Sequence, residues 1–275
     1  MLSCLRELCG YRELIENLVV RDLKVRYKSS VLGFVWSLLN PLLLMVVFTV
    51  VFTVMLPNFH IPNFPVFVMC ALLPWNFFNT SIMSAITSVS GNSHLVKKVY
   101  FPREILTISS VLANFVNLLL ALPVLFVLLA VFRMPLTIWL FYLPLVLFGL
   151  LVFTLGVSLV LATLNVYYRD TAVIMEVVVQ AWFFLTPVFY PIDLLPSSAE
   201  LWGMAIPVRR MVYILNPMAS IIATSRSIIY GFVNGSPPTA PAADFLLRTL
   251  VTALLTFLIG YAIFVRHSRH FAEAV

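Results

Sequence analysis

The chain has 275 residues, of which 62% are hydrophobic and only 10% are charged, and its mean hydropathy is +1.04. Soluble domains carry roughly 25% charged residues, so this composition excludes a soluble protein and predicts a polytopic membrane protein. The formal charge of +6 does not indicate nucleic-acid binding, because the basic residues flank apolar runs and form no stripe.

The apolar residues occur in long runs, and these runs predict the fold class. Residues Ser29–Val96 contain no Asp, Glu, Lys or Arg, and a second apolar run extends from Ile105 to Phe132. In lipid, each spanning segment must satisfy its own backbone hydrogen bonds, which favours helices of this length. We therefore expect an all-α, polytopic, six-span transmembrane helix bundle with an N-terminal amphipathic interface helix and short external re-entrant helices. Residues 1–30 would form the interface helix, and residues 31–275 the transmembrane domain.

The N-terminal residues 3–28 predict an amphipathic helix that lies in the headgroup plane before the first span. The basic residues between Arg21 and Lys28 place the N-terminus on the cytoplasmic side, because cytoplasmic segments carry an excess of Lys and Arg. Arg266 and Arg269 place the C-terminus on the same side. The apolar stripe of the helix consists of Leu5, Leu8, Tyr11, Ile15 and Leu18.

Six spans follow, and two of them contain features that disturb a plain apolar helix. Asn40–Pro41 should bend or locally unwind the first span, because Pro removes a helical hydrogen bond. Glu176 lies inside the fifth span, which breaks at Pro187. Two interpretations of Glu176 stay open: its carboxylate snorkels to the interface, or it pairs with Arg169 across the cytoplasmic turn. The spans are predicted at 31–55, 66–89, 105–132, 138–166, 171–190 and 246–265.

A charged hairpin, residues 92–103, lies between the second and third spans. Asn92 and Ser93 can cap a short amphipathic helix, and Pro102 ends that helix and starts the next span. The basic residues of the hairpin indicate the cytoplasmic side. Two interpretations remain, an ordinary basic loop and a docking element for a soluble partner. The docking hypothesis assigns the contact to His94, Leu95, Lys97, Lys98, Val99, Tyr100, Phe101, Pro102 and Arg103.

Residues 192–230 belong to a long section on the external side. Within it, Asn216–Pro217 predicts a helix cap followed by Pro at the first helical position. We expect two short amphipathic helices here that re-enter the membrane or lie on its outer surface.

Motifs for catalysis and cofactor binding are missing from the 275 residues. No lysine follows a glycine as in a P-loop, so the chain is not expected to bind ATP by itself. The cysteines and histidines show no metal-ligand spacing, so no metal and no cofactor are expected in this chain. A membrane enzyme that modifies glycolipids would need catalytic acids at a membrane face, and Asp193, Glu200 and Asp244 are sparse. We therefore expect a transport protein and keep the enzyme as the rival class.

Aromatic residues make up 14% of the chain and include 23 Phe. Flat rings stack on the C–H faces of sugars without a fixed hydrogen-bond pattern, so a path lined by rings would let a polymer slide. The residues that we expect to line such a path are Trp75, Phe77, Phe78, Trp182, Phe183, Phe184, Phe189 and Tyr190.

Several stretches resemble a known family. The run Lys98-Val-Tyr-Phe-Pro-Arg-Glu-Ile-Leu-Thr-Ile-Ser-Ser110, the opening of the first span from Leu32 to Leu42 and the element Pro187-Val-Phe-Tyr-Pro191 are similar to ABC-type polysaccharide export permeases. These are the membrane subunits of O-antigen, capsule and teichoic-acid exporters. Asn216–Ala219 and Ser225–Gly231 are similar too, so the resemblance covers nearly the whole chain.

The resemblance implies a function and a set of partners. It implies a homodimer in the bacterial cytoplasmic (inner) membrane, bound to two copies of a separate ABC ATPase that holds ATP and Mg. It further implies that the hairpin 92–103 docks on the ATPase, that helices in 192–230 form an external gate, and that aromatic residues line a channel for a polysaccharide or undecaprenyl-linked glycan. The alternative cargo is a small amphiphile or drug, carried by a related permease.

Overall fold

The structure is a computed structural model, and it describes residues 10–27, 35–56, 61–98, 101–201, 204–231, 233 and 235–271. The α-helices are α1 Arg12–Tyr27, α2 Val35–Thr49, α3 Phe64–Ile86, α4 Ser93–Lys98, α5 Glu104–Val131, α6 Leu143–Tyr167, α7 Thr171–Leu185, α8 Val208–Leu215, α9 Pro217–Ile229 and α10 Ala243–Ser268. A π-helix extends α2 over Val50–Met55, and 3-10 helices lie at Ser90–Asn92, Ile138–Tyr142 and Ile192–Leu194. Two short antiparallel strands are β1 Ala199–Leu201 and β2 Met204–Ile206.

Among the described residues, five helical segments are long and apolar enough to cross a membrane, which confirms the polytopic helix bundle. A sixth candidate is the pair α8 and α9, which together pass the same test although the chain bends by 105° between them. The five segments are Leu38–Met55, Phe64–Ile86, Glu104–Val131, Ile138–Tyr167 and Ala243–Ser268.

The predicted fifth span, 171–190, is short and its helix ends close to the expected break at Pro187. Its helix, α7, has 15 residues and ends at Leu185. At 1.5 Å per residue this helix is about 22 Å long, shorter than the roughly 30 Å of a bilayer core. The chain turns back at 186–190 instead of continuing, and the bent pair α8–α9 provides the sixth apolar segment.

The helix α2 is not unwound at Pro41. It runs without interruption through this residue, and its departure from α geometry comes later, in the π-helix Val50–Met55. The expected two short helices in 192–230 are α8 and α9, and the β1–β2 pair precedes them in the chain.

The helix α9 re-enters the bundle and does not lie on its surface. Ten of its thirteen residues are buried, among them Arg226, whereas α8 has no buried residue. As predicted, Asn216 caps α9 by accepting a hydrogen bond from the backbone N–H of Ala219 at 3.2 Å.

The centre of the bundle is α3. Seventeen of its 23 residues are buried, because α2, α5, α6, α7 and α9 all pack against it. In contrast, only 11% of the apolar segment Leu38–Met55 is buried. The helix α2 therefore lies at the edge of the chain, with most of its apolar surface unpaired.

A second hydrophobic cluster, here called the hairpin cluster, lies at the end of the bundle that carries residues 92–103. It joins α1, the hairpin, α5, α6 and α10 into one packed unit. Its buried members are Leu18, Val89, Val96, Phe101, Ile105, Leu106, Leu159, Ala162, Val166, Tyr261, Phe264 and Phe271.

The helices α6 and α10 cross in direct backbone contact. A Cβ atom placed on Gly260 would lie 2.2 Å from the carbonyl oxygen of Gly156, and a Cβ on Gly156 would lie 2.6 Å from the backbone nitrogen of Phe257. Small residues allow this close approach of helices in membranes, where van der Waals packing is a main source of association.

We expect Gly260→Leu to lower the thermal stability of the purified protein. Overpacking of this kind costs about 2 kcal/mol, or roughly 5 °C in the unfolding midpoint for a chain of this size. Fluorescence-detected size-exclusion chromatography after heating measures the midpoint. Gly10→Ala is the matched control, because no atom lies within 4 Å of its added Cβ. Equal midpoints for the two variants would contradict the tight crossing.

Candidate functional site

Seven of the eight predicted path aromatics meet in one aromatic cluster. Trp75 of α3 lies 5.4 Å from Phe183 of α7, measured between ring centroids, and Phe183 lies 5.8 Å from Phe189 in the following turn. Phe77 lies apart from the others, because its ring contacts Phe115 of α5 at 5.6 Å. The seven residues in the aromatic cluster are Trp75, Phe78, Trp182, Phe183, Phe184, Phe189 and Tyr190.

The cluster also contains aromatics that we did not single out from the sequence. Phe48 of α2 stacks on Phe189 with ring centroids 5.7 Å apart and an interplanar angle of 4°. Phe52, one turn further along α2, contacts both Phe64 and Phe189. The i, i+4 spacing of Phe48 and Phe52 was the signal in the sequence, since it places both rings on one helix face.

The cluster has a packed side and an open side. Trp75 and Phe78 are buried in the core, with 5% and 0% of their surfaces exposed, whereas Phe184 is 57% exposed. The rings on α3 are therefore held in the core, and those on α7 face a groove.

This groove lies between α2, α3 and α7 and has a volume of about 440 Å³. Its walls combine aromatic rings with amide and carboxylate groups. Rings stack on apolar faces of a ligand, and amides and carboxylates hydrogen-bond to hydroxyl groups at its edges. The groove can thus hold an amphiphilic, hydroxyl-rich ligand. The aromatic lining residues are Phe48, Trp75, Phe183 and Phe184, and the polar ones are Asn76, Asn79, Glu176 and Gln180.

Glu176 and Arg169 occupy different cavities. Among the residues that the structure describes, the ion pairs are Arg21–Asp22 and Arg209–Asp193, so Glu176 and Arg169 do not pair with each other. Glu176 lines the groove, whereas Arg169 lines a separate cavity nearer the hairpin. The pairing interpretation is therefore wrong.

Asn216 connects the aromatic cluster to the re-entrant helix. Its Oδ1 accepts a hydrogen bond from the indole N–H of Trp182 at 3.0 Å, and its Nδ2 donates to the hydroxyl of Thr186 at 2.8 Å. The sequence identified Asn216 as a helix cap, but its second role depends on the end of α7 lying beside it. This amide fixes the position of Trp182.

Arg226 holds the turn that follows α7. Its guanidinium lies 3.7 Å from the ring centroid of Phe67 and donates hydrogen bonds to the backbone carbonyls of Phe67, Pro187 and Val188. Only 8% of this side chain is exposed. A charged group in this position is stabilised by the carbonyl dipoles and the ring together. We did not single out Arg226 from the sequence, although a lone cation in a mostly apolar helix is a signal of a buried polar contact.

The hairpin presents charge outward and apolar residues inward. His94, Lys97 and Lys98 are exposed, whereas Phe101 is buried in the hairpin cluster with 9% of its surface exposed. Phe101 is thus placed to anchor the hairpin rather than to contact a partner. Leu95, Pro102 and Arg103 are half-buried, and Val99 and Tyr100 lie outside the described residues.

Two polar contacts fix the hairpin and the start of α5, which follows it, to their surroundings. The guanidinium of Arg21 in α1 donates to the side-chain oxygen of Asn92 at 3.3 Å. The hydroxyl of Tyr261 in α10 donates to Glu104 at 3.3 Å, and only 5% of Glu104 is exposed. The N-terminal helix and α10 therefore both support the hairpin.

Comparisons with known proteins show which sequences this chain is similar to. The model of the ABC-2 type transporter family matches residues 13–230. The O-antigen export system permease protein RfbA of Myxococcus xanthus is 34% identical over 275 residues, which is 100% of both chains. A protein of the same name from Klebsiella pneumoniae is 33% identical over 268 residues, 96% of each chain. The polysialic acid transport protein KpsM of Escherichia coli is 21% identical over 259 residues, covering 88% of this chain and 92% of the relative.

We expect Arg226→Met to destabilise the fold strongly. Met keeps the length of the side chain but leaves the carbonyls of Pro187 and Val188 without donors in an apolar setting. The cost is about 3 kcal/mol, or roughly 8 °C in the unfolding midpoint. The control is Arg210→Met, which removes an exposed cation from α8. Thermal unfolding of both purified variants measures the difference. A midpoint for Arg226→Met within roughly 2 °C of the control would contradict the role of Arg226 in holding this turn.

Proposed function

The chain belongs to the ABC-2 type transporter family, and we propose that it forms the membrane-spanning subunit of an ATP-driven exporter that moves a polysaccharide, free or lipid-linked, across a bacterial cytoplasmic membrane. The observation that carries this proposal is the groove of aromatic rings and amides. The full-length similarity to permeases named for O-antigen export supports it.

The groove suits a glycan better than a purely apolar cargo. A hydrocarbon ligand would leave the amides of Asn76 and Asn79 and the carboxylate of Glu176 without partners, and such groups are costly inside a membrane. Sugar hydroxyls satisfy these groups while the sugar ring faces stack on Phe183 and Phe184. For a lipid-linked cargo, the undecaprenyl chain would lie in the bilayer beside the groove.

The energy for transport would come from a separate subunit. The 275 residues contain no P-loop, so ATP and Mg²⁺ would be bound by a partner ABC ATPase. The exposed cations of the hairpin, together with its rigid seat in the hairpin cluster, support the interpretation that residues 92–103 dock on this ATPase. A hairpin that is packed on four helices can pass a movement of the ATPase to the bundle.

Two copies of the chain would enclose the path. The helices α2 and α7 leave most of their apolar residues exposed, yet Asn40, Glu176 and Gln180 are exposed on the same helices. Lipid would solvate the apolar residues but not these polar ones. A second copy facing this side would cover the apolar surface and convert the open groove into an enclosed channel, with both termini in the cytoplasm.

We expect Phe184→Ala to slow glycan export about five-fold, the effect of one lost stacking contact near 1 kcal/mol. Because Phe184 is 57% exposed, its removal should leave folding and ATPase association intact. The matched control is Phe141→Ala, an 84% exposed ring that lies outside the groove. Surface glycan is measured by immunoblot over time in cells that express equal amounts of each variant. Identical export by both variants would show that the groove is not part of the transport path.

The experiment that tests the proposal as a whole is affinity purification of the tagged chain in mild detergent, with mass spectrometry of the associated proteins. We expect a stoichiometric P-loop ATPase, and we expect Lys97→Glu with Lys98→Glu to abolish its recovery by charge reversal. Arg266→Glu with Arg269→Glu is the control, since both residues are exposed cations at the end of α10. If no ATPase accompanies the wild-type chain, even after crosslinking through the hairpin, the ATP-driven proposal fails.

A further inference from the structure

Within the described bounds of the three helices that line the groove, the only charged residue is Glu176. The helices α2 and α3, with the π-helix that extends α2, contain no Asp, Glu, Lys, Arg or His, and α7 contains Glu176 alone. Cations lie beyond both ends of α7 and outside the groove, because Arg169 lines a cavity near the hairpin and Arg226 lines another behind the turn. The described lining of the groove therefore carries one negative charge and no positive charge.

The carboxylate of Glu176 has no partner in the described part of the chain. It forms neither an ion pair nor a hydrogen bond there, and its side chain is exposed on the open side of the groove. A charged group among membrane-spanning helices is costly unless a partner or a polar path accommodates it, and such a group marks a substrate pathway. The partner of Glu176 must therefore come from whatever passes through the groove.

The chemistry of the groove distinguishes neutral sugars from acidic ones. An ionised carboxylate only accepts hydrogen bonds, so Glu176 needs a donor, whereas the amides of Asn76 and Gln180 both donate and accept. The ring faces of Phe183 and Phe184 carry partial negative charge and favour C–H groups over anions. Sugar hydroxyls can donate to the carboxylate while the sugar C–H faces stack on the rings. A sugar carboxylate cannot donate to Glu176, and the two negative charges repel each other between apolar helices.

We infer that the groove rejects acidic glycans and that Glu176 is the residue that sets this selectivity. Neutral sugars satisfy its carboxylate with hydroxyl groups, and sugars with free amino groups satisfy it with an ion pair. Two unit charges about 12 Å apart, at an effective dielectric constant of about 20, repel by an amount worth about ten-fold in affinity. The inference rests on the proposed function, because it treats the groove as the path of the glycan. In the proposed dimer, the second copy would add a second carboxylate to the same path.

The test compares a neutral and an acidic oligosaccharide of equal length. The probes are chitohexaose, which is uncharged, and the hyaluronan hexasaccharide, which carries a carboxylate on every second sugar. Microscale thermophoresis measures their binding to the purified complex in phosphatidylcholine nanodiscs. We expect the wild type to bind chitohexaose at least about ten-fold more tightly than the hyaluronan fragment. Added salt should narrow this difference, because it screens the repulsion.

Three variants separate the charge of Glu176 from its size. Glu176→Gln keeps the size and removes the charge, so the two probes should then bind within about two-fold of each other. Glu176→Asp keeps the charge and should keep most of the preference. The control is Asp170→Asn, which removes an exposed carboxylate from the turn before α7. Asp170 does not line the groove and its side chain does not cap α7, so this variant should behave as the wild type.

Equal affinity of the wild-type complex for the two probes, or an unchanged preference in Glu176→Gln, would overturn the inference. Binding of neither probe would also overturn it, because the groove would then not be a glycan site. Recovery of an ATPase tests the exporter proposal separately. A complex that holds an ATPase but binds both probes equally loses only the charge selectivity, whereas a chain that prefers chitohexaose but never recruits an ATPase overturns the proposed function alone.

Discussion

Polar groups inside a bilayer must find hydrogen-bond partners within the protein, and in this chain the turn after α7 depends on this requirement. Because α7 ends at Leu185, the carbonyls of Pro187 and Val188 lack helical donors, and Arg226 supplies them. Beside it, the side chain of Asn216 accepts a hydrogen bond from the indole N–H of Trp182 and donates one to the hydroxyl of Thr186. The short helix is possible only because α9 re-enters the bundle with these two side chains, and the groove exists because α7 is short and mostly exposed.

The hairpin end of the bundle and the groove differ in how tightly their helices are packed. At the hairpin end, apolar packing and the buried Glu104–Tyr261 contact join five segments into one rigid unit. In the groove, α2 and α7 have few buried residues and carry rings that line an open space. Movement that enters through the hairpin would therefore move α5, α6 and α10 together, and it would reach the groove through α3, which packs against α5 and α6.

The sequence predicted much of this fold because long apolar runs allow few structures in lipid. Segment length predicted the spans around α3, α5, α6 and α10. Capping chemistry predicted the cap at Asn216, and ring content predicted the seven clustered aromatics. The errors came where tertiary contacts override local pattern. Pro187 indicated the break after α7, but nothing local in the sequence showed that Arg226 binds the carbonyls of Pro187 and Val188 there. Similarly, Arg169 and Glu176 are seven residues apart in the sequence, but Arg169 lies in the turn before α7 and the two residues line different cavities.

The glycine crossing of α6 and α10 has a mechanical consequence. Side chains that interdigitate can change rotamer and let two helices slide, but Gly156 and Gly260 meet backbone to backbone and leave no such freedom. These two helices would keep the same relative position throughout a transport cycle. Any widening of the path would then come from movement of α2 and α7, which have few buried residues and line the groove.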